Sequence, residues 1–159
     1  RYDIILLQEH WLLPQQLHKF QDLIPGFTGV AVSGMDEHRV LQGRRYGGCA
    51  ILWRDSLTKC ISQFEYASLS NRICCAILNV KEGIFLIVCA YFPCDSQSVT
   101  QTNPELHLVL DDIRALVEKV NPDEIILGGD LNCDFLRSSA FVQEVQRFMY
   151  EMHIQTVWQ

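Results

Sequence analysis

Glu124-Ile125-Ile126-Leu127-Gly128-Gly129-Asp130-Leu131-Asn132 is the stretch on which the reading of this chain turns. It opens as a short continuous apolar run, the pattern of a strand buried on both faces. The two glycines that follow let the backbone turn sharply or approach a ligand. Asp130 and Asn132 lie two apart, so an extended segment presents them on one side. A carboxylate beside an amide suits phosphoryl chemistry. The Asp can accept a proton from water, and the Asn can donate a hydrogen bond to developing charge. The plain alternative is an ordinary turn, since Gly, Asp and Asn all form turns.

Working outward, the segment before this run is the clearest helix. Asn103 is placed to cap it and Pro104 suits its first position. Leu106, Val109, Leu110, Ile113, Leu116, Val117 and Val120 then make one apolar stripe, and Pro122 prevents continuation. Burying about 300 Å² of such a face is worth roughly 7 kcal/mol before entropy is subtracted. After Asn132, Ser138 or Ser139 can start a last helix, with Phe141, Val142, Val145, Phe148, Met149 and Met152 as its stripe. Upstream, Ile73 to Val80 and Ile84 to Phe92 read as strands joined by Lys81-Glu82-Gly83, a hairpin link. Gly47 to Trp53 reads as a strand entered through glycines, and Asp3 to Leu7 as another doubly buried run. Leu13, Leu17, Phe20 and Ile24 fall at helical spacing, ended by Pro25-Gly26. This order predicts an α/β layered domain, helices covering a mixed sheet, with few strands for a closed sandwich. No repeat or linker divides the chain, which reads as one domain over 1–159.

Composition sets limits. The chain has 159 residues, 48% hydrophobic and 20% charged, which is globular and not disordered. No apolar run reaches the ~18 residues of a membrane helix, so no membrane partner is expected. Nineteen acids against thirteen Lys and Arg give a net charge of -6, which excludes a whole-domain basic footprint. Local phosphate contact is still open. Arg39, Arg44, Arg45 and Arg54 occupy a stretch without an acid, although a solvated basic face accounts for it as well. Seven cysteines show no C-x-x-C spacing, and four of them (Cys49, Cys74, Cys75, Cys89) sit in apolar runs. They read as reduced structural thiols and predict an intracellular location.

Two acids share one context. Glu9 follows the run at 3–7, and Asp130 follows the run at 124–127. Ligands of α/β sheets bind outside the carboxyl ends of strands, so neighbouring strands would bring the two together. Carboxylates ~4 Å apart repel by roughly 4 kcal/mol at an effective dielectric of about 20. A proton or a divalent cation would offset that. Oxygen-only donors with Asn132 nearby favour Mg²⁺ or Mn²⁺ over zinc. The bland reading is two solvated strand ends. Tyr91, just before Pro93, could donate to a phosphate oxygen, while packing is the commoner use of a strand tyrosine. His10 adjoins Glu9. An EF-hand reading of 130–141 fails, because Phe135 and Phe141 stand where Gly and Glu are needed. There is no G-x-S-x-G, no phosphate loop and no G-x-G-x-x-G.

Four blocks in order carry a resemblance: Leu6-Leu7-Gln8-Glu9-His10-Trp11-Leu12, Tyr46-Gly47-Gly48-Cys49-Ala50-Ile51-Leu52-Trp53, Ala90-Tyr91-Phe92-Pro93 and Ile126-Leu127-Gly128-Gly129-Asp130-Leu131-Asn132. The chain resembles the endonuclease/exonuclease/phosphatase superfamily, also called deoxyribonuclease I-like. Within it, the chain is most similar to the apurinic-type endonuclease domain of non-LTR retrotransposon polyproteins. The resemblance implies a four-layer α/β sandwich, Mg²⁺ dependence (Mn²⁺ as substitute) and phosphodiester hydrolysis leaving a 3′-hydroxyl. It implies Glu9 as metal ligand, Asp130 as the group that orients or deprotonates water, Asn132 as transition-state donor and Tyr91 as a contact to the scissile phosphate. Arg44 and Arg45, in a loop where related retroelements often read Arg-Pro, are expected to bind substrate. DNA is the expected substrate, a reverse transcriptase domain the expected polyprotein partner, and the nucleus and cytoplasm the expected location.

The resemblance also marks a departure. The family begins with a strand carrying an Asn and ends with a Ser-Asp-His motif, and no Ser-Asp-His occurs here. The expectation is therefore an incomplete domain, a partial four-layer sandwich, inactive by itself. The alternatives kept open are a phosphatase or phosphodiesterase, an RNA deadenylase, and a catalytically dead binding module.

Overall fold

The computed structural model describes residues 2–21, 23–35, 45–64, 70–95 and 103–157. Its strands are β1 (Ile4–Gln8), β2 (Phe27–Val32), β3 (Cys49–Arg54), β4 (Ile61–Gln63), β5 (Ile73–Val80), β6 (Gly83–Tyr91) and β7 (Glu124–Asp130). The helices are α1 (Pro104–Val120) and α2 (Ala140–Glu151), with two 3₁₀ segments, Pro14–Gln21 and Asp55–Leu57. One sheet has the order β1-β3-β2, all antiparallel. The other has the order β4-β5-β6-β7, antiparallel except for the parallel pair β6/β7.

Two central strands explain the layering. β3 is buried throughout apart from its last residue. Its Cys49, Ile51 and Trp53 face the second sheet, while Ala50 and Leu52 face Phe20 and the first 3₁₀ segment. β6 does the same in mirror fashion. Ile87 and Cys89 face the first sheet, and Leu86, Val88 and Ala90 face α1 and α2. The period of two thus sorts one apolar run into two cores, which is why neither run shows alternation in sequence. The result is four layers: 3₁₀ segment, sheet, sheet, helices. The helices are anchored locally. The Asn103 side chain accepts from Glu105 N at 2.9 Å, and Asn121 ends α1 in the left-handed conformation. The Ser139 hydroxyl accepts from Val142 N at 3.1 Å to start α2.

Several expectations need correction. The segment around Leu17 and Phe20 is a 3₁₀ run, closed by bonds such as Gln16 N to Leu13 O at 2.8 Å. Its apolar residues pack on the first sheet as expected, since spacing over two turns does not separate a period of 3.0 from 3.6. There are seven strands among the described residues, in two sheets and not one. β2 was hidden because Gly29 and Ala31 dilute its apolar signal, and β4 because it is only three residues long. β7 lies at the end of its sheet with β6 as its one strand neighbour among the described residues, and Ile126 is 43% exposed. β1 and β7 are not neighbours within a sheet. They belong to different sheets that face each other, Leu6 packing toward Gly128. Among the described residues no helix is long and apolar enough to cross a membrane.

Candidate active site

The rim of the sandwich collects the ends of β1, β6 and β7. Tyr91 ends β6 on the face that looks toward the first sheet, packed against the apolar layer between the sheets. Its hydroxyl donates to Glu9 Oε1 at 2.6 Å. Glu9 is the residue after β1, so this bond joins the two sheets. Tyr91 is also the register partner of Asp130 on β7, and Phe92 N donates to Asp130 O at 2.8 Å. Glu9, Tyr91 and Asp130, distant in sequence, therefore meet at one rim. The stacking of β1 over the second sheet does what adjacency in one sheet had been expected to do.

Asn132 completes the group. Its N–H donates to Asp130 Oδ1 at 3.0 Å, an Asx turn. Its Nδ2 donates to Phe92 O at 2.8 Å, which leaves one amide proton directed elsewhere. The backbone here is unusual. Glu9, Trp11 and Asn132 have φ of 52°, 57° and 46°, in the left-handed region. Such conformations cost of order 1–3 kcal/mol each and persist only where the surroundings fix them. For Glu9 the fixing bonds are its own N–H to Gly48 O at 2.8 Å and Trp11 N–H to Gly47 O at 3.1 Å.

Electrostatics follow from the contacts. The hydrogen bond to Glu9 is the main cause that pushes the Tyr91 phenol up to about 12, with burial and the Glu9 charge adding to it. Tyr91 is thus a proton donor over the whole neutral range. The Arg72 guanidinium lies 5.4 Å over the Tyr91 ring and is held by Glu105 at 2.8 Å. Arg72 and Asn71 line a pocket of about 150 Å³ that runs from Tyr91 to Gly47, Gly48 and Tyr46. Neither was found from the sequence. The available signal was position: Arg72 immediately precedes the apolar run of β5, as Glu9 and Asp130 follow theirs after one and two intervening residues.

His10 plays another part. Leu12 N–H donates to its Nδ1 at 3.0 Å, so Nε2 carries the proton and donates to Val32 O at 2.9 Å. Burial lowers its pKa. Its ring fills the space beside Gly48, and it braces the 9–12 turn. Arg45 is exposed and donates to Gln16 Oε1 at 3.2 Å, outside the lining of the pocket. Arg44 lies outside the described residues.

The donors at the rim are carboxylate, amide and phenol oxygens, which fit a hard divalent cation and not zinc. Among the described residues no three or more His, Cys, Asp or Glu form a ligand cage.

No curated protein sequence matches the chain. Solved structures do. The chain is similar to the endonuclease domain of TRAS1, a telomere-specific non-LTR retrotransposon, with a TM-score of 0.62 and 19% identity over 94% of this chain and 58% of that one. It is similar to the 3′ phosphatase NExo from Neisseria bound to a product DNA hairpin, with a TM-score of 0.55 and 18% identity over 93% and 60%. It is also similar to the human Nocturnin catalytic domain, with a TM-score of 0.56 and 16% identity over 96% and 57%. At these identities the likeness is one of fold, the deoxyribonuclease I-like fold, and the chain spans about three-fifths of the length of these neighbours. The Endonuclease/Exonuclease/phosphatase family profile matches residues 1–143, nine-tenths of the chain, and the chain belongs to that family.

Proposed function

We propose that this chain carries part of a divalent-metal-dependent phosphodiesterase site whose substrate is DNA, in the manner of a retroelement endonuclease. The observation that supports it is the convergence of Glu9, Tyr91, Asp130 and Asn132 at one rim. In this reading Glu9 would supply a carboxylate oxygen to Mg²⁺, which when bound would polarise the phosphate. Asp130 takes the proton of the attacking water, and the free amide proton of Asn132 donates to the charge that develops on phosphorus-bound oxygen. Tyr91 holds its proton between Glu9 and the substrate oxygen. As the water oxygen bonds to phosphorus the P–O3′ bond breaks and the departing oxygen takes a proton from solvent, so the products are a 3′-hydroxyl and a 5′-phosphate. In a retroelement the 3′-hydroxyl primes synthesis by a reverse transcriptase domain of the same polyprotein, in the nucleus or cytoplasm.

The test is nicking of supercoiled plasmid by the protein extended to the length of its structural neighbours. The expected result is Mg²⁺-dependent relaxation, reduced about 10²–10⁴-fold by Asp130→Ala. An extended protein that binds neither Mg²⁺ nor Mn²⁺ and never nicks DNA overturns the reading. Cleavage of a 3′ phosphate, an inositol phosphate or poly(A) in place of plasmid assigns another activity of the same family.

A further inference from the structure

Three thiols and one amide tie the two sheets together at the end of the sandwich where Glu9 and Tyr91 meet. Cys89 Sγ, on β6, donates across to Leu7 O on β1 at 3.4 Å. Gln8 Nε2, on β1, donates back to Cys89 Sγ at 3.1 Å. Cys49 Sγ, on β3, donates to Arg72 O at 3.3 Å, and Cys74 Sγ, on β5, donates to Val30 O on β2 at 3.6 Å. Every one of these bonds crosses from one sheet to the other. Elsewhere the same interface is apolar, built from side chains such as Ile4, Leu6, Ile51 and Ile87.

The placement of the Gln8–Cys89 pair is specific. Gln8 continues the inward face of Ile4 and Leu6, so an aliphatic residue there would pack as its predecessors do. An amide at this half-buried position needs a partner, and the thiol is that partner. Gln8 immediately precedes Glu9. Cys89 precedes Tyr91 by two and points the same way. The pair therefore fixes the height of β1 against β6 one step before the Glu9–Tyr91 bond is made. Glu9 is itself exposed, its backbone tied to Gly48 and its side chain held at one oxygen by Tyr91, so the position of β1 under it decides whether that contact is made.

We propose that Gln8 and Cys89 are positioning residues that hold Glu9 against Tyr91 through the cross-sheet amide–thiol bond. The proposal deepens the phosphodiesterase reading and takes its functional meaning from it. Partners one step removed from a ligating or catalytic group commonly matter this much, because they set its orientation.

The test reads the Glu9–Tyr91 contact directly, without cleavage or metal. Tyrosine is labelled with carbon-13 at Cζ, and the Tyr91 resonance is assigned by its loss in Tyr91→Phe. Glu9→Ala supplies the resonance position of a phenol without its carboxylate. Gln8→Met and Cys89→Val are expected to move the wild-type resonance at least half of the way to that position. Cys89→Ser, which keeps a donor and an acceptor, is expected to restore it. Cys75→Ala, a buried thiol of the helix-side core, is expected to lower thermal stability and leave the resonance in place. The proposal is overturned if Gln8→Met folds with an unmoved resonance, or if Cys75→Ala moves it as far. Should Cys89→Val fail to fold, Gln8→Met alone decides. A protein that passes this test and never cleaves DNA would fail the phosphodiesterase reading only.

Discussion

Gly129 shows how little freedom single residues have near the site. Its φ is 137°, and a Cβ on it would stand 1.9 Å from the carbonyl oxygen of Ala90 on the neighbouring strand. No flexible side chain can give way there. Gly129→Ala is expected to lower stability by about 3 kcal/mol or more, read as a shift of the urea midpoint with unchanged slope. A change within experimental error would mean that β7 does not sit against Ala90 as described. Gly48 works on the same principle, with the His10 ring in the place of the carbonyl. Asp130 and Asn132 were legible in the sequence because their spacing and their glycines are local facts. The Glu9–Tyr91 bond was not, since residues 82 apart meet only through sheet packing. Arg72 escaped for a related reason: a cation before a strand looks like any solvated end until a ring and a pocket are found beside it.

At the scale of elements, the helices were read nearly to the residue. Asn103, Pro104 and Pro122 are start and stop signals that act within one turn, and α1 ends where they place it. Ser139 does more than cap α2. It also donates to Asp95 Oδ2 at 2.7 Å, which ties the helix to the segment after β6. Ser139→Ala is expected to cost about 1–2 kcal/mol, near the upper end for a lost cap, whereas Asn103→Ala is expected to cost about 1 kcal/mol. Thermal unfolding of the two variants side by side checks the order, and an equal loss would show that the Asp95 bond contributes nothing. Strands were read less well. β3, β5 and β6 are long and apolar and were found, but β2 and β4 carry too few large residues to stand out. Which strands share a sheet is a matter of distant partners, and a run such as Glu124–Leu127 does not tell an edge from a centre.

For the whole molecule, the cysteines set a pH limit. Burial pushes the Cys75 thiol up to about 11 from 9.0, and Cys74 is raised as well. A thiol raised on folding binds its proton more tightly in the native state. Its contribution is complete below the unfolded value and is lost as pH rises through the folded one. Stability is therefore expected to fall between about pH 9 and pH 11, by on the order of 2 kcal/mol for Cys75. Cys75→Val should flatten part of that slope in denaturant titrations at stepped pH, and an unchanged slope would assign the loss to other groups.

β7 gives the molecule one more property. It is an apolar strand with a neighbour on one margin and, among the described residues, none on the other. That margin, with Ile126 partly exposed beside it and residues 152–157 across a cleft from it, is where a further strand can add in register. The same strand that carries Asp130 into the site is thus the sheet's point of attachment for a neighbour.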